Sequence, residues 1–533
     1  MANLDVCRTL GALLISTVVL SACAGGTPAP APGGGSASAA PAVKSGGQMV
    51  VSMLEDPDKL DPSLGGTAGG REVFINMCEK LYDLSADGTI VPQLAAALPT
   101  FSADGLTVTI PLRKNVQFND STPFDAAAVK TTLERHKTLA GSRRAAELGT
   151  VKEVSVVDAS TVRLTLSAPL APLVATLADR AGMIMSPTQL QKLGDNFGNQ
   201  PVCVGPFSFV ERVPGDRIVL DKSKVYYDAD KVKLDRIIMK PILDGTVRTA
   251  NLKSGDLQVV DRVQATDVAA LQKDSSYKVS KVVSYGLLTL NLNVANVTGI
   301  GQPPGKPEPF SDPLIREAFD LSLDREQINT VVYAGLQLPG CTPLPPSSAF
   351  FIKDLKCPTR DIAKAKELIA RSGKKTPIDV DFVVFPSPDG TRLGEVIQAQ
   401  TKEAGFNVIV KPTEPNAGLQ ASIKGQFTMS QNPWSGRIDP DGNMYSFHIS
   451  KGPDNLGNVS DPELDALLDK GRVTNDLEAR KKVYADAVAK ILARRSILYF
   501  AYQVLYAAVP TKVVGFEMFA DGMPRMKTAA YLP

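Results

Sequence analysis

The 533-residue sequence has one tryptophan, Trp434, and two histidines, His136 and His448. So few imidazoles leave multi-histidine metal or haem centres without their usual ligands, and no H-E-x-x-H or C-x-x-C spacing replaces them. No Ser, His and acid signature appears either, so hydrolytic chemistry lacks its customary players. Charge of one sign is also missing. Lys plus Arg (58) nearly cancels Asp plus Glu (56), so no broad basic field exists to hold nucleic acid. What is present is an ordinary globular composition, 44% apolar and 21% charged. The chain is too long for one hydrophobic core, which predicts two or more lobes.

The first residues are distinctive. "TLGALLISTVVLSA", Thr9 to Ala22, is an apolar run of 14 residues, suited to a signal-peptide core and short of the ~20 needed to span a bilayer. It meets Leu20-Ser21-Ala22-Cys23, a pattern that resembles the bacterial lipobox, so residues 1–22 are expected to be removed and Cys23 to carry lipid; an ordinary secretory signal is the plainer alternative. Residues 23–47, almost wholly Ala, Gly, Pro and Ser after the cysteine, are expected to form a flexible tether. A lipid anchor of several acyl chains needs no membrane-spanning helix. Beyond Cys23 lie Cys78, Cys203, Cys341 and Cys357, which allow three disulfide connectivities. Cys341 and Cys357 flank a loop-like stretch whose closure should contribute about 3 kcal/mol, leaving Cys78 with Cys203.

Strand and helix patterns alternate along the rest, the mark of an α/β protein. "GQMVVSML", "LTVTIPLR", "STVRLTL" and "DRIVLDK" read as strands from their β-branched alternation. "SDPELDALLDKG" reads as a helix with Ser460 and Glu463 in capping-box spacing and Leu464, Leu467 and Leu468 on one face. "DLEARKKVYADAVAKILARR" predicts a longer helix with Leu477, Tyr484, Val488, Ile491 and Leu492 inward. The Pro- and Gly-rich "TGIGQPPGKPEPFSDP" is expected to be a surface loop. Its glycine spacing is wrong for a phosphate loop, and Pro303 and Pro304 remove the backbone donors such a loop requires.

The richest stretch is "NPWSGRIDPDGN", Asn432 to Asn443. Gly442 and Ser450 stand where an EF-hand needs other residues, so the calcium reading fails and no metal is assigned. As a clamp for an organic molecule, Trp434 offers a flat apolar face, Arg437 a fork of donors for a carboxylate, and Asp439 an acceptor or an orienting partner for Arg437. The alternative is a capped turn with Trp434 in the core and Arg437 paired to Asp439 or Asp441. Of the histidines, His136 is expected on the solvated face of a helix, whereas His448 is a candidate ligand contact. Tyr285 and Arg71 complete the candidate set, the latter with solvated charge as its plainer reading.

Four segments together carry a resemblance: "CEKLYDLSADGTIVPQLAAALPTFSADGLTVTIPLRKNVQFNDSTPFDAAAVK", "VGPFSFVERVPGDRIVLDKSKVYY", "FSDPLIREAFDLSLDREQI" and "DIAKAKELIARSG". They are similar to segments of the extracytoplasmic solute-binding proteins of ABC importers, family 5, the peptide/nickel class that includes oligopeptide- and dipeptide-binding lipoproteins. The resemblance spans nearly all of residues 48–533. It implies a type II two-lobed periplasmic-binding-protein fold of the large peptide-binding class, with an extra domain inserted in the first lobe. Segments 48–91, 197–283 and 497–533 would form lobe 1, residues 92–196 the insert and 284–496 lobe 2. The implied protein is a monomer, extracytoplasmic and membrane-associated only through its lipid. It would be no enzyme, would use no cofactor, and would deliver a small organic solute to a permease and its ATPase. In dipeptide binders the turn after Trp-x-Gly supplies an aspartate for the peptide's ammonium; here Arg437 stands there. A cation cannot hold a cation but can hold a carboxylate, so an anionic non-peptide such as an aromatic carboxylate competes with peptide-like solutes. A nickel chelate or haem, ligands the family tolerates, is the remaining alternative.

Overall fold

The computed structural model describes residues 43–533. The expected leader, the anchor Cys23 and the tether up to Ala42 lie outside the described residues. Lys44 to Gly47 are already tied to the body: the Lys44 amide donates to Tyr531 O, and those of Gly46 and Gly47 to Lys233 O and the Asp235 carboxylate. Among the described residues no helix is long and apolar enough to cross a membrane.

Three sheets each organise a core. In the first, strand Gln48–Met53 runs parallel to Arg236–Pro241, followed by Arg217–Lys222 and Phe207–Val213 in antiparallel order. Met49, Val51 and Met53 alternate into a core with Phe74 and Met77 of helix Ala68–Met77, as the period-2 pattern requires. The Cys78–Cys203 disulfide sits in that core. The second sheet, 100–101, 107–111, 161–166 and 151–158 in spatial order, is antiparallel throughout. Its buried Val108, Ile110, Val162 and Leu164 pack with Val129 and Leu133 of helix Ala126–Thr138, which Asp125 caps by accepting from the Ala128 amide.

The third sheet has six strands in the order 338–339, 497–510, 277–292, 429–431, 378–384 and 406–412. Strands Ile378–Val384 and Phe406–Pro412 are parallel and joined through helix Pro388–Lys402, a βαβ unit. Strands Tyr277–Leu292 and Ile497–Pro510 pair from Tyr277↔Pro510 to Asn291↔Ile497. Near Ala508 this ribbon packs on Leu252 and Val260, and near Leu290 it enters the core of the third sheet. The two strands thus run from one cored region into another. Their register breaks between Val283 and Leu287. There the Gly286 amide bonds the Ser284 hydroxyl, and a Cβ on Gly286 would lie 2.3 Å from Gln503 Oε1. Cys341–Cys357 closes the expected loop.

The four strands named from the sequence are all present, and three local expectations are corrected. Helix Pro462–Val473 is capped by Asp461, whose carboxylate accepts from the Leu464 amide, while Ser460 bonds Ser450 instead. In helix Leu477–Arg494, Tyr484, Val488 and Ile491 are buried, but Leu477 is 48% exposed because its first turn overhangs the packed face. His136 is fully buried, not solvated. It follows Val129, Thr132 and Leu133 on one helical stripe and bonds the Ser63 hydroxyl at 2.9 Å.

Candidate functional site

The strand Met429–Gln431 leads into the tryptophan turn. Backbone bonds between Trp434 and Leu287 run in both directions, at 2.8 and 2.9 Å, and fix the turn to the long ribbon. Gly436 then adopts φ +77° directly over Tyr285, whose carbonyl oxygen would be 2.0 Å from any Cβ. Asn443, in helix Asp441–His448, staples the turn from below: its Oδ1 accepts from Trp434 Nε1 (2.9 Å) and the Arg437 amide (2.8 Å), and its Nδ2 donates to Arg437 O (3.1 Å). With the indole held against Phe447, the Arg437 guanidinium stacks 4.3 Å from its centroid. Local sequence therefore presents Arg437 on a rigid platform.

The acids of the same stretch do not serve Arg437. Asp439 takes a fork of two bonds from Arg480 at 2.6 and 2.8 Å, and Asp441 one from Arg472 at 2.9 and 3.0 Å, both arginines coming from the helices that follow. The partner of Arg437 arrives from far away in sequence. Asp179 lies 2.5 Å from Arg437 Nε on one oxygen, an ion pair without hydrogen-bond geometry, and accepts from Arg71 Nε at 3.2 Å on the other, while Arg71 Nη1 donates to Ser435 at 2.8 Å. Burial pushes the Asp179 carboxyl up, but Arg437 and Arg71 outweigh it and hold it well below the usual range. Burial and then Arg71 pull Arg437 down to about 10, so it remains charged at neutral pH.

More polar links join the same two sides. Arg143 pairs with Asp454 at 2.9 Å, the Arg472 side chain donates to Ala146 O at 2.9 Å, and its carbonyl accepts the Ala171 amide. Gly66 leaves the room that Arg143 fills, since a Cβ there would sit 2.7 Å from its guanidinium carbon. Behind these links lies a cavity of about 950 Å³, including its open mouth, with Arg71, Arg143, Arg144, Glu147, Asp179 and Arg180 on one side and Trp434, Arg437, Asp439, Asp441, Tyr445 and Arg472 on the other. It shares Gly66, Arg143, Trp434 and Asp454 with a second cavity of about 980 Å³, which continues along Glu55, Arg262, Phe385 and Asn416. Together they form one long cleft lined by arginines, carboxylates and the Trp434 indole.

Arg71, Trp434, Arg437 and Asp439 thus come together at the cleft. Arg71 is 5% exposed rather than solvated, and Asp439 orients Arg480, not Arg437. Tyr285 is buried behind Gly436 and lines neither cavity. His448 is enclosed between Tyr499, 2.9 Å from its Nε2, and Arg494, and also lies off the cleft. Sequence reading missed Asp179, Arg143, Arg144, Arg180, Arg472 and Arg480. Arg143 and Arg144 are neighbours in sequence, as are Asp179 and Arg180, but neither pair forms a recognisable motif, and only the arginines on the helices after the turn could have hinted at partners for Asp439 and Asp441.

A cleft between separately cored regions, bridged by ion pairs and spanned by a two-stranded ribbon, defines a protein that encloses a solute between two lobes. The chain belongs to the bacterial extracellular solute-binding proteins of family 5, whose middle-region model matches residues 89–455. It is 28% identical over 476 residues to the glutathione-binding protein GsiB of Pectobacterium atrosepticum, covering 87% of this chain and 90% of that one. The ABC transporter-associated periplasmic binding protein DppA of Helicobacter pylori, in complex with the peptide STSA, matches with a TM-score of 0.83 at 23% identity, over 92% of this chain and 99% of that one. AgaA of A. tumefaciens R10, in complex with agropinic acid, matches with a TM-score of 0.79 at 26% identity, over 90% and 96%. The fold is the type II two-lobed one, and the protein is an extracellular solute-binding protein.

Proposed function

We propose that this chain captures a peptide-like or other small organic solute in the cleft, closes over it without altering it, and presents the closed form to a permease and its ATPase. The observation that carries this reading is the Asp179 bridge, which ties Arg71 and Arg437 across the cleft and exists only when its two walls are together. Closure around a ligand gains contacts that the open form lacks, and a partner can read that difference. Residues 48–91, 197–283 and 497–533 act as lobe 1, residues 92–196 as its insert and 284–496 as lobe 2, with the long ribbon as hinge. Trp434 covers the solute, Arg71 and Arg437 address its polar groups, and Asp439 holds the wall through Arg480. Tyr285 and His448 support that wall from behind. The chain works as a monomer held to the membrane by lipid on Cys23 and a short tether.

The relative named as glutathione-binding supports a peptide-like solute. A second reading, an anionic non-peptide solute, is favoured by Arg437 at the turn and by the relative that holds agropinic acid. The nickel-chelate or haem alternative draws no support from the histidines, since both are packed away from the cleft. Mass analysis of small molecules released from the denatured purified chain tests the proposal. A stoichiometric solute, returned unchanged after rebinding, is expected; a chemically altered one would refute receptor function.

A further inference from the structure

Arg180 faces the cleft and pairs with no carboxylate among the described residues. It is 1% exposed; its Nη1 donates to Gly65 O at 2.8 Å and lies 3.5 Å from Thr67 O, and its Nε has no partner. The Nε of neighbouring Arg144 is likewise buried and unsatisfied. Such groups are normally bonded in a folded protein.

The charges around them do not balance. Asp439, Asp441, Asp454, Glu147 and Asp521 are each matched by an arginine, in order Arg480, Arg472, Arg143, Arg144 and Arg525. Asp179 alone answers two, Arg71 and Arg437, and Arg180 answers to none. Around this half of the cleft an excess of two positive charges is therefore left, whereas the half along Glu55 sets Arg262 alone against Glu55, Glu72 and Asp261. Burial, then the Arg144 charge, work against the Arg180 cation, and Asp179 offsets them only in part. An uncompensated charge out of water is costly unless a counter-charge arrives with the ligand.

We infer that the solute carries an acid group, a carboxylate or a phosphate, that seats on Arg180 and Arg144. This rests on the receptor reading and narrows it. Guanidinium donors suit both acid types, and Arg180 Nη2, which makes no hydrogen bond, is the donor left for them.

Calorimetric titration of the purified chain tests it with glutathione, citrate and glycerol 3-phosphate, against glutathione diethyl ester and triglycine amide, in wild type, Arg180→Gln, Arg180→Lys and Glu147→Gln. At least one acid is expected to bind wild type, with the ester and amide at least about tenfold weaker, and the best acid distinguishes carboxylate from phosphate. Arg180→Gln should weaken acid binding roughly thirtyfold or more without lowering the ligand-free melting temperature, because it removes an unpaired buried charge. Arg180→Lys should fall between, and Glu147→Gln, which adds to the positive excess, should tighten acids about threefold. Should Arg180→Gln fail to fold, the other two variants decide. Equal acid binding by wild type and the Arg180 variants, or ester and amide binding as well as acids, overturns the inference and leaves solute capture standing. If no probe binds, a released solute bearing a carboxylate or phosphate upholds the inference and one without either overturns it. If nothing is released either, both readings fall.

Discussion

Asp179 shows how much a single side chain can hold when its surroundings are dry. Two guanidiniums converge on its oxygens, and replacing it by asparagine keeps the shape while leaving both cations without their counter-charge. Urea unfolding of Asp179→Asn is expected to show a loss of about 2 kcal/mol, and an unshifted midpoint would mean that the cluster adds nothing. The histidines make a second residue-scale prediction. Burial, then Arg144 and Arg135, lower His136 to about 3; burial, then Arg494, lower His448 well below its ordinary value. Between that folded value and the unfolded one of about 6.5 the unfolded chain binds more protons, so stability rises with pH across the window and levels off above it. Acidifying to pH 5 should cost about 2 kcal/mol through His136 alone. His136→Asn is expected to flatten the dependence of the melting temperature between pH 4 and 6.5, relative to wild type.

The turn from Trp434 to Asn443 works as one element because its parts constrain each other. Asn443 bonds both the indole and the Arg437 backbone, and Gly436 lets the chain pass over Tyr285 without a Cβ. Gly436→Ala combines a left-handed backbone with a contact against a carbonyl oxygen, and should destabilise by about 2 kcal/mol or more. The same change should blue- or red-shift Trp434 fluorescence, which, as the only tryptophan in the chain, reports on the turn directly. Unchanged emission and stability would show that the turn tolerates a side chain there. The helices that supply Arg472 and Arg480 lend this element its rigidity, so its two aspartates act as anchors and the arginine as the group presented to the cleft.

For the whole molecule the relevant equilibrium is between separated and joined walls. Contacts such as Arg143 with Asp454 and Arg472 with Ala146 O join the walls in the structure described, and under the proposed closure a ligand shifts the balance by its preference for the joined state. Saturating ligand at about 100 times its Kd should raise unfolding stability by about 2.7 kcal/mol. Small-angle scattering should show a smaller radius of gyration with ligand than without; an identical radius in both would count against hinged closure. Arg143→Ala should reduce ligand affinity more than it reduces the stability of the ligand-free chain, since its pairing depends on closure.

The α/β class, the four named strands, the two long helices and the Trp434 turn were legible in the sequence, because period, caps and turn residues act over a few positions. The disulfide partners were legible too, through loop spacing and elimination. His136 was misjudged because its neighbours in sequence are polar while its neighbours on the helix stripe are Val129 and Leu133. Ser460 and Asp461 both can cap a helix, and only the exact first turn chose between them. Sequence by itself determined what the Arg437 platform is made of. Tertiary structure alone decided that Asp179, 258 positions earlier by the numbering, is the carboxylate it meets, and that Arg180 meets none among the described residues. The physical reason is range: local patterns follow from bonds between near neighbours, whereas charge balance in a cleft depends on which distant segments are packed into the same dry space.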